Sequence, residues 1–328
     1  MNTAGILAAF PNLSALVVGD ICLDRWCSYD PGASEPSRET GIPRLGVVAT
    51  QVSPGAGGTV AGNLRSLGAG RVGVLGAIGE DGHGWELRGA LAGLGIESGL
   101  LIPVAGMQTF TYTKLLRGPD GVEDQPRVDF INARPRSPEA EARILDELRR
   151  AAARFDVILV ADQAETDEGG VVTPAVRELL AELARGQAGA KVFWADSRRR
   201  AELFRDVIVK PNREEAESAS RRLLGTVDYA ALRRALRAPA LIVTHGDQGA
   251  VVVEPDGETW VRARPVAHPV DICGAGDSFS AGAAMTLAVT GSAVEAARVG
   301  NLAAGVTIGK KGTGTAGPQE ILAAEAAP

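Results

Sequence analysis

Short apolar runs rich in β-branched residues recur along the chain, and amphipathic segments follow several of them. The runs are typical of buried strands and lie at residues 16–19, 72–78, 157–160, 192–195, 207–209, 241–244 and 250–253. Apolar positions with helical spacing, separated by charges, occupy residues 59–67, 138–154, 173–185 and 229–238. This alternation predicts an α/β protein with a mostly parallel sheet covered by helices on both faces. Ligands of such sheets bind at the carboxyl ends of the strands.

Two segments interrupt the alternation. Residues 21–51 are rich in Pro, Gly and Ser. Residues 106–134 contain two strand-like stretches, 109–116 and 127–131, separated by a turn at 118–121. The second segment therefore predicts a β-hairpin. An ordinary surface excursion is the alternative for both segments.

Composition narrows the class of protein. The chain has 328 residues, of which 45% are hydrophobic, so it is long enough to bury a substantial core. A net charge of −6 argues against a nucleic-acid-binding protein, so phosphate recognition would have to be local. The three cysteines have no metal-ligand spacing, no signal segment is evident, and no apolar run approaches the ~20 residues that span a bilayer. We expect a cytoplasmic protein with no membrane partner.

The most informative motif begins at Asp271 and continues through Gly274, Ala275, Gly276 and Asp277 into a predicted helix. Glycine allows the backbone to bend, so that consecutive amides at the start of the helix form a site for an anion. Asp277 would then be placed to accept a proton from a hydroxyl group that attacks a terminal phosphate. The alternative for Asp277 is a carboxylate that caps the helix, and Asp271 could orient the turn or hold a water near a metal.

Two further patterns suit a polar ligand. Gly57 and Gly58 lead into a helix that carries Asn63, so a sugar ring could approach the backbone while an amide binds its hydroxyls. Close packing of helix on strand is the alternative. Asn212 and Glu215 share one face at the start of another helix, a spacing that suits hydrated Mg²⁺, although polar residues commonly open helices.

The motif from Asp271 to Gly282 resembles the second signature of the PfkB/ribokinase sugar kinases. Further resemblance extends from Gly19 and Asp20 through residues 57–63 and 212–215 to residues 301–305, in the order of the family. Residues 19–26, 127–130 and 308–313 look most like the kinase half of the ADP-heptose synthesis enzymes. The chain has no room for their nucleotidyltransferase half, so that second activity is expected to be absent.

The resemblance implies a ribokinase-like three-layer α/β/α fold and a kinase that uses ATP and Mg²⁺. The core would comprise residues 1–20, 52–105 and 135–328. Residues 21–51 and 106–134 would form a small β lid that closes over the sugar, and through which a homodimer would form.

The resemblance also implies site residues. The family's substrate positions correspond to Asp24, Asp20, Gly57, Gly58, Asn63 and Asp162. Its nucleotide loop corresponds to Thr244, Gly246 and Gly249, and its adenine wall to Asn301 and Gly305. Asn212 contributes to the nucleotide site, and Asn212 with Glu215 would hold the metal through water. Heptose-phosphate kinases usually carry a lysine where this chain has Glu165, a departure that bears on the identity of the substrate.

Basic residues are enriched in the predicted lid: Arg25, Arg38, Arg44, Lys114, Arg117 and Arg127. In an acidic protein this enrichment favours a sugar phosphate over a free sugar, with Lys114 and Arg127 as the contacts, although lid charges could also serve solubility. Two other functions stay open. One is a non-catalytic sugar or nucleotide sensor on a kinase fold, and the other is a serine hydrolase that uses Ser278.

Overall fold

The computed structural model describes residues 1–118, 121–134, 136–164, 166, 168–187 and 189–327. Fourteen strands lie within these ranges: β1 Ser14–Gly19, β2 Ile21–Asp30, β3 Gly46–Ala56, β4 Arg71–Gly79, β5 Glu97–Val104, β6 Thr111–Arg117, β7 Val122–Glu123, β8 Val128–Phe130, β9 Val157–Asp162, β10 Val192–Ser197, β11 Ile208–Val209, β12 Leu241–Thr244, β13 Ala250–Glu254 and β14 Gly257–Val261. They form two sheets.

The larger sheet has the order β14-β13-β12-β11-β10-β9-β1-β4-β5. Strands β12 through β5 in this order are parallel, while β13 is antiparallel to both of its neighbours. The central strands β1 and β9 are buried along almost their whole length, as expected for parallel strands covered on both faces. The predicted mostly parallel sheet is confirmed.

The described ranges also hold ten helices: α1 Thr3–Ala9, α2 Gly57–Ser66, α3 Gly82–Gly93, α4 Pro138–Ala152, α5 Pro174–Gly186, α6 Arg213–Leu224, α7 Tyr229–Leu236, α8 Ala275–Thr290, α9 Ala293–Thr307 and α10 Pro318–Ala326. One face of the larger sheet carries α1, α2, α8, α9 and α10, whose apolar residues share one core cluster with the sheet. The opposite face carries α4 to α7 with a second cluster. These are the three layers that were predicted.

Local sequence explains individual helix boundaries. The Ser137 side chain accepts a hydrogen bond from the Ala140 amide, and Pro138 occupies the first turn of α4. Both features favour the start of a helix, because they satisfy or remove amide donors that lack an intrahelical partner. Arg149 and Arg150 lie in the last turn, where a positive charge is favourable.

The smaller sheet, named the lid after that prediction, has the order β3-β2-β6-β7, and β8 is paired to β6. The predicted hairpin corresponds to β6 and β8, which are antiparallel. Its predicted turn includes residues 119 and 120, which lie outside the described residues. Strand β3 continues to Ala56, so the lid includes residues 52–56, which the sequence had placed in the core.

Helices α1, α3, α9 and α10 and strands β5 and β14 were absent from the predicted elements, since their apolar periodicity is weak or short. Among the described residues, no helix combines the length and the apolar character needed to cross a bilayer.

Candidate active site

The start of α8 is built as the sequence predicted, with one difference. Gly274 precedes the helix at φ +80°, a backbone conformation that favours glycine, and the Ser278 amide donates to its carbonyl oxygen at 3.0 Å. The Ala275 amide donates to the Ile272 carbonyl at 3.3 Å and is therefore used within the protein. Among the described residues, no acceptor pairs with the amides of Gly276 and Asp277. Of the four consecutive amides from Gly274 to Asp277, that of Ala275 is therefore not available to an anion.

Asp271 holds the turn that precedes α8. Its two carboxylate oxygens accept hydrogen bonds from the Cys273 amide at 2.9 Å and from the Gly312 amide at 3.1 Å. These bonds connect the turn to the C-terminal loop. The contacts support the orienting role that the sequence left open for Asp271.

Asp277 is half-buried in the first turn of α8. Burial and the neighbouring carboxylate of Asp196 raise its pKa to about 7, while Lys210 and Arg198 act in the opposite direction. A carboxylate with this pKa is close to the optimum for a general base at neutral pH. Asp24 also contributes to the raised pKa, so the two carboxylates lie close enough for their charges to interact.

A buried ion pair lies beneath Asp277, and sequence reasoning missed it. The Lys210 Nζ atom lies 2.9 Å from Asp196 Oδ2, which also accepts a hydrogen bond from Ser280 Oγ at 2.9 Å. A β-carbon built on Gly276 would lie 3.5 Å from Lys210 Nζ, so the ammonium group lies directly against the start of α8. Burial alone would lower the pKa of Lys210, but Asp196 outweighs it and the pKa is raised. A fixed positive charge results.

One signal in the sequence could have revealed this pair. Lys210 ends the apolar run at residues 207–209, and Asp196 ends the run at residues 192–195. Strands β10 and β11 are parallel neighbours, so the two charges meet at the same edge of the sheet.

Asp24 lies in β2 of the lid sheet. Burial raises its pKa to about 6, against the lowering effect of Lys114 and Arg127. Gly55, which the prediction did not include, lies against this carboxylate: a β-carbon at Gly55 would lie 2.5 Å from Asp24 Oδ1. The structure therefore brings Asp24, Gly55, Lys114 and Arg127 together near Asp277.

Gly57, Gly58 and Asn63 make close contacts within the protein, and their contact with substrate stays a prediction. A β-carbon at Gly57 would lie 2.7 Å from the Ile21 side chain, and one at Gly58 would lie 2.5 Å from Pro54. Asn63 is fully buried, and its Nδ2 donates to the Thr59 carbonyl at 3.0 Å. These contacts support the alternative of close helix packing.

Ser278 is part of the same buried network. Its hydroxyl donates to Asn63 Oδ1 at 2.7 Å and lies 2.8 Å from Thr307 Oγ1. The side chain is 0% exposed, so it presents no nucleophile to a cleft. This geometry argues against a serine hydrolase.

Asp20 and Asp162 are also occupied by protein contacts. The Asp20 carboxylate accepts hydrogen bonds from the amides of Gln163, Ala164 and Val171 at 2.7–2.9 Å. The Asp162 carboxylate accepts from Ser197 Oγ at 2.6 Å and from Arg200 at 3.0 Å. Both side chains are 1% exposed, so their contacts support structural roles rather than the predicted binding of substrate. Glu165, the departure noted in the sequence, lies outside the described residues.

Five of the six basic residues named in the predicted lid have acidic partners. Lys114 pairs with Glu123 at 3.3 Å and Arg127 with Asp129 at 2.7 Å. The remaining pairs are Arg25 with Glu86, Arg44 with Glu35 and Arg117 with Asp124. The local excess of positive charge expected from the sequence is therefore largely compensated.

The candidate metal residues form a capping box at the start of α6. The Glu215 amide donates to Asn212 Oδ1 at 2.9 Å, and the Asn212 amide donates to Glu215 Oε2 at 2.8 Å. Burial, followed by the charge of Asp196, raises the pKa of Glu215. Among the described residues, no group of three or more His, Cys, Asp or Glu side chains could hold a metal ion. The donor set instead fits Mg²⁺ that keeps most of its waters.

A cleft of about 280 Å³ separates the start of α6 from the loop after β12. It is lined by Asn212, Arg213, Glu214, Thr244, His245, Gly246 and Gln248. Two predicted nucleotide residues, Thr244 and Gly246, therefore lie beside Asn212.

Two other predicted nucleotide residues, Gly249 and Asn301, contact the hairpin formed by β13 and β14. Gly249 has φ +105°, and a β-carbon there would lie 2.2 Å from the Val261 carbonyl oxygen. Asn301 Nδ2 donates to that same oxygen at 3.0 Å, which fixes α9 to β14. A β-carbon at Gly305 would lie 3.7 Å from Val266. For Gly249 and Asn301 these contacts provide a structural role.

Comparison with known proteins gives a consistent result. A family model described as "pfkB family carbohydrate kinase" matches residues 21–320. The bifunctional protein HldE of Geotalea uraniireducens is 33% identical over 318 residues, which cover 95% of this chain and 62% of that protein. HldE of Geobacter sulfurreducens is 31% identical over 336 residues, covering 98% of this chain and 64% of that protein. The chain thus spans somewhat less than two thirds of the length of these relatives.

Solved structures share the fold. Ribokinase from Thermotoga maritima aligns with a TM-score of 0.68 and 21% identity, covering 95% of this chain and 99% of that one. Phosphofructokinase-2 from Escherichia coli aligns with a TM-score of 0.69 and 19% identity, covering 96% and 98%.

Proposed function

The chain belongs to the pfkB family of carbohydrate kinases, and we propose that it transfers the terminal phosphoryl group of ATP to a hydroxyl group of a sugar or sugar phosphate. The observation that supports this reaction most strongly is the position of Asp277. Its carboxylate lies at the start of α8, beside amides for which the described residues offer no acceptor, near a buried lysine and near enough to Asp24 for the two charges to interact.

Asp277 is the proposed general base. The acceptor oxygen forms a bond to the terminal phosphorus as its proton passes to the Asp277 carboxylate, and the bond between that phosphorus and the bridging oxygen of ADP breaks. A pKa of about 7 leaves the base largely ionised at slightly alkaline pH while keeping it basic enough to accept the proton.

Charge on the transferred group is stabilised by fixed donors. The amides of Gly276 and Asp277 and the positive end of the α8 dipole provide a preorganised anion site, and Lys210 adds a positive charge beneath it. Because Asp196 holds the ammonium group, these donors need little rearrangement during the reaction.

Asn212 and Glu215 are the proposed metal residues. Mg²⁺, when bound with the nucleotide, would neutralise charge on its phosphates. The capping box leaves one carboxylate oxygen of Glu215 for a metal-bound water, since only Oε2 accepts the Asn212 amide. The adjoining cleft beside Thr244 and Gly246 is the proposed path of the nucleotide.

A heptose phosphate is the proposed acceptor. The sequence motifs at residues 19–26 and 127–130 and the identity of about 30% to proteins named HldE support this choice. Asp24 would bind an acceptor hydroxyl, with Lys114 and Arg127 nearby for an anionic group. Their acidic partners Glu123 and Asp129 compete with such a group.

A homodimer through the lid is also proposed. Strand β3 lies at the edge of the lid sheet, and its residues from Val47 to Val52 are exposed on both faces. Val48 is 65% exposed. Pairing with a second copy would cover this edge, and sedimentation velocity would give the mass of the particle. The three cysteines are free thiols, compatible with the expected cytoplasmic location, which stays a prediction.

Release of ADP from ATP tests the proposed reaction. Purified protein with Mg²⁺ is assayed against free sugars and sugar phosphates in parallel, and the Asp277→Asn variant serves as the comparison. We expect turnover with at least one acceptor and a loss of about 10²–10⁴-fold in the variant. Asp256→Asn, in an exposed turn, is the matched control and should retain turnover.

Two results would count against the proposal. Near-native turnover by Asp277→Asn would exclude this base. Binding of sugar or ATP without any ADP release would favour the sensor that the sequence left open.

A further inference from the structure

The start of α3 contacts the lid sheet at two strands. Glu86 of α3 forms an ion pair with Arg25 of β2, in which Arg25 Nε lies 3.2 Å from Glu86 Oε2. The Arg25 Nη1 atom lies 3.4 Å from Nε2 of His83, which is also in α3. The ring of His83 meets that of Phe130 in β8 edge-on, with the ring centroids 4.6 Å apart. We call these four side chains the α3 anchor, because they join α3 to the lid.

The ion pair of the α3 anchor is shielded from water. The side chains of Arg25 and Glu86 are 22% and 27% exposed. The Arg25 Nε and Glu86 Oε2 atoms are buried, and they make an ion contact rather than a well-aligned hydrogen bond. Arg25 Nη2 donates to Glu86 Oε1 at 3.4 Å, so all three guanidinium nitrogens face the start of α3. Leu87 and Leu91 of this helix are fully buried in the core, which makes α3 a fixed support.

The register of the lid sheet places the anchored residues directly beside the proposed acceptor residues. Asp24 is paired with Tyr112 of β6, and Tyr112 is paired with Asp129 of β8, so these three residues form one row across the sheet. Residues in one row share a face, whereas successive residues of a strand face opposite sides. Arg25 follows Asp24 and Phe130 follows Asp129, and both therefore lie on the other face.

The lid sheet thus has an acceptor face and an anchored face. Arg127 pairs with Asp129 and stacks 5.0 Å from the Tyr112 ring, so it belongs to the same face as Asp24. The opposite face is held by α3 through Arg25. Because consecutive residues share the backbone of β2, a displacement of Arg25 also displaces Asp24. A shift of about 1 Å in a group that orients a substrate is enough to slow a reaction markedly.

We propose that Arg25 and Glu86 are positioning residues, which set the place of Asp24 by fixing β2 against α3. His83 completes the anchor by contacting β8 through Phe130. These side chains act from behind the lid sheet, since they face α3 rather than the acceptor. The inference rests on the proposed kinase function and extends it by assigning part of the affinity for the acceptor to an ion pair outside the binding site.

Glu86→Ala tests the proposal. Alanine keeps α3 helical and removes the partner of Arg25, so β2 should no longer be fixed in one position. We expect KM for the acceptor to rise by about 10-fold and KM for ATP to stay within about twofold. The two values should separate because the proposed nucleotide cleft is lined by α6 and the loop after β12. Steady-state kinetics with each substrate varied in turn measure both values, and melting curves show that the variant is folded.

Glu97→Ala is the matched control. Glu97 forms a comparable ion pair with Arg71, at 2.9 Å from Nε and 2.8 Å from Nη2, but this pair joins β4 to β5 within the larger sheet. The control should leave both KM values unchanged. An unchanged acceptor KM in Glu86→Ala, or an equal rise for acceptor and ATP, would overturn the inference.

A double-mutant cycle shows whether the α3 anchor acts through Asp24. Asp24→Asn alone should lower kcat/KM for the acceptor. In that background Glu86→Ala should lower it by less than about twofold more, since the carboxylate that the anchor positions is already gone. Fully multiplicative effects would mean that the anchor does not act through Asp24, which overturns the inference alone. A wild type without kinase activity on any acceptor would overturn the proposed function and this inference with it.

Discussion

The start of α8 and the lid hold their charges in opposite ways. At the start of α8, the side chains of Lys210 and Asp196 are 4% and 11% exposed and form one buried pair beneath Asp277. In the lid, the side chains of Lys114 and Glu123 are 43% and 40% exposed and form a pair open to water. Buried charges are costly unless paired, and exposed pairs contribute little. The buried pair lies where the proposed reaction needs a fixed charge, and the exposed pair lies where the acceptor would be selected.

Breaking the buried pair should have the largest effect. Lys210→Met leaves the Asp196 carboxylate buried without its cation, so we expect a loss of about 3–5 kcal/mol in the free energy of unfolding. Turnover should fall by about 10²-fold or more, since a fixed charge near the transferred phosphate is lost. Urea denaturation and steady-state kinetics measure the two effects. The lid control Arg44→Met, which breaks an exposed pair, should change stability by less than about 1 kcal/mol.

The double variant Lys210→Met with Asp196→Asn separates stability from catalysis. The uncharged amide that replaces the Asp196 carboxylate could still accept the hydrogen bond from Ser280, so most of the lost stability should return. Turnover should not return. Recovery of both would mean that the lysine serves the fold alone.

Glu215→Gln should have the next largest effect. Glutamine can keep the capping box with Asn212, so α6 should remain stable, but the negative charge that attracts a hydrated cation is lost. We expect the Mg²⁺ concentration for half-maximal activity to rise by about 10-fold or more. Glu217→Gln, one turn away from the start of α6 and paired with Arg213 and Arg221, is the control. Equal Mg²⁺ dependence in both variants would remove Glu215 from the metal site.

The pH dependence of activity should report the protonation of Asp277. With a pKa of about 7 in the protein without substrate, Asp277 loses its basic form as the pH falls, so kcat/KM should decline about tenfold per unit below pH 7. Asp196→Asn removes a negative neighbour, so this acidic limb should move to lower pH. An acidic limb that does not move would mean that another group controls the profile.

The stability of the protein should also depend on the protonation of Asp277, but in the direction opposite to that of activity. The pKa of Asp277 is raised on folding from 3.8 to about 7, so its stabilising contribution is present below pH 3.8 and is lost as the pH rises through 7. Asp277→Asn should therefore melt at a higher temperature than wild type at pH 8, with a smaller difference at pH 5. Melting curves at the two pH values measure this effect.

The sequence predicts the features that depend on local patterns and misses those that depend on contacts between distant residues. The parallel sheet and the start of α8 follow from local patterns, because β-branched runs and a glycine turn have the same meaning in most contexts. The buried position of Asn63 could not be predicted from local patterns. Its side chain is paired with Ser278 of α8, which lies more than 200 residues away along the chain. Lys210 and Asp196 are 14 positions apart and meet only through the pairing of β10 with β11.

The smallest effects are expected in the lid, and they test whether its charges bind a phosphate. Lys114→Gln should raise the KM for a sugar phosphate by about 2–5-fold and leave that for the free sugar unchanged, because an exposed cation contributes little. Glu123→Gln should have the opposite sign, since it frees Lys114 for the substrate. Both shifts should diminish at 1 M salt, where exposed charges are screened. If both variants change KM equally for the two acceptors, Lys114 does not bind a phosphate, and the lid recognises the acceptor through Asp24 and its apolar neighbours.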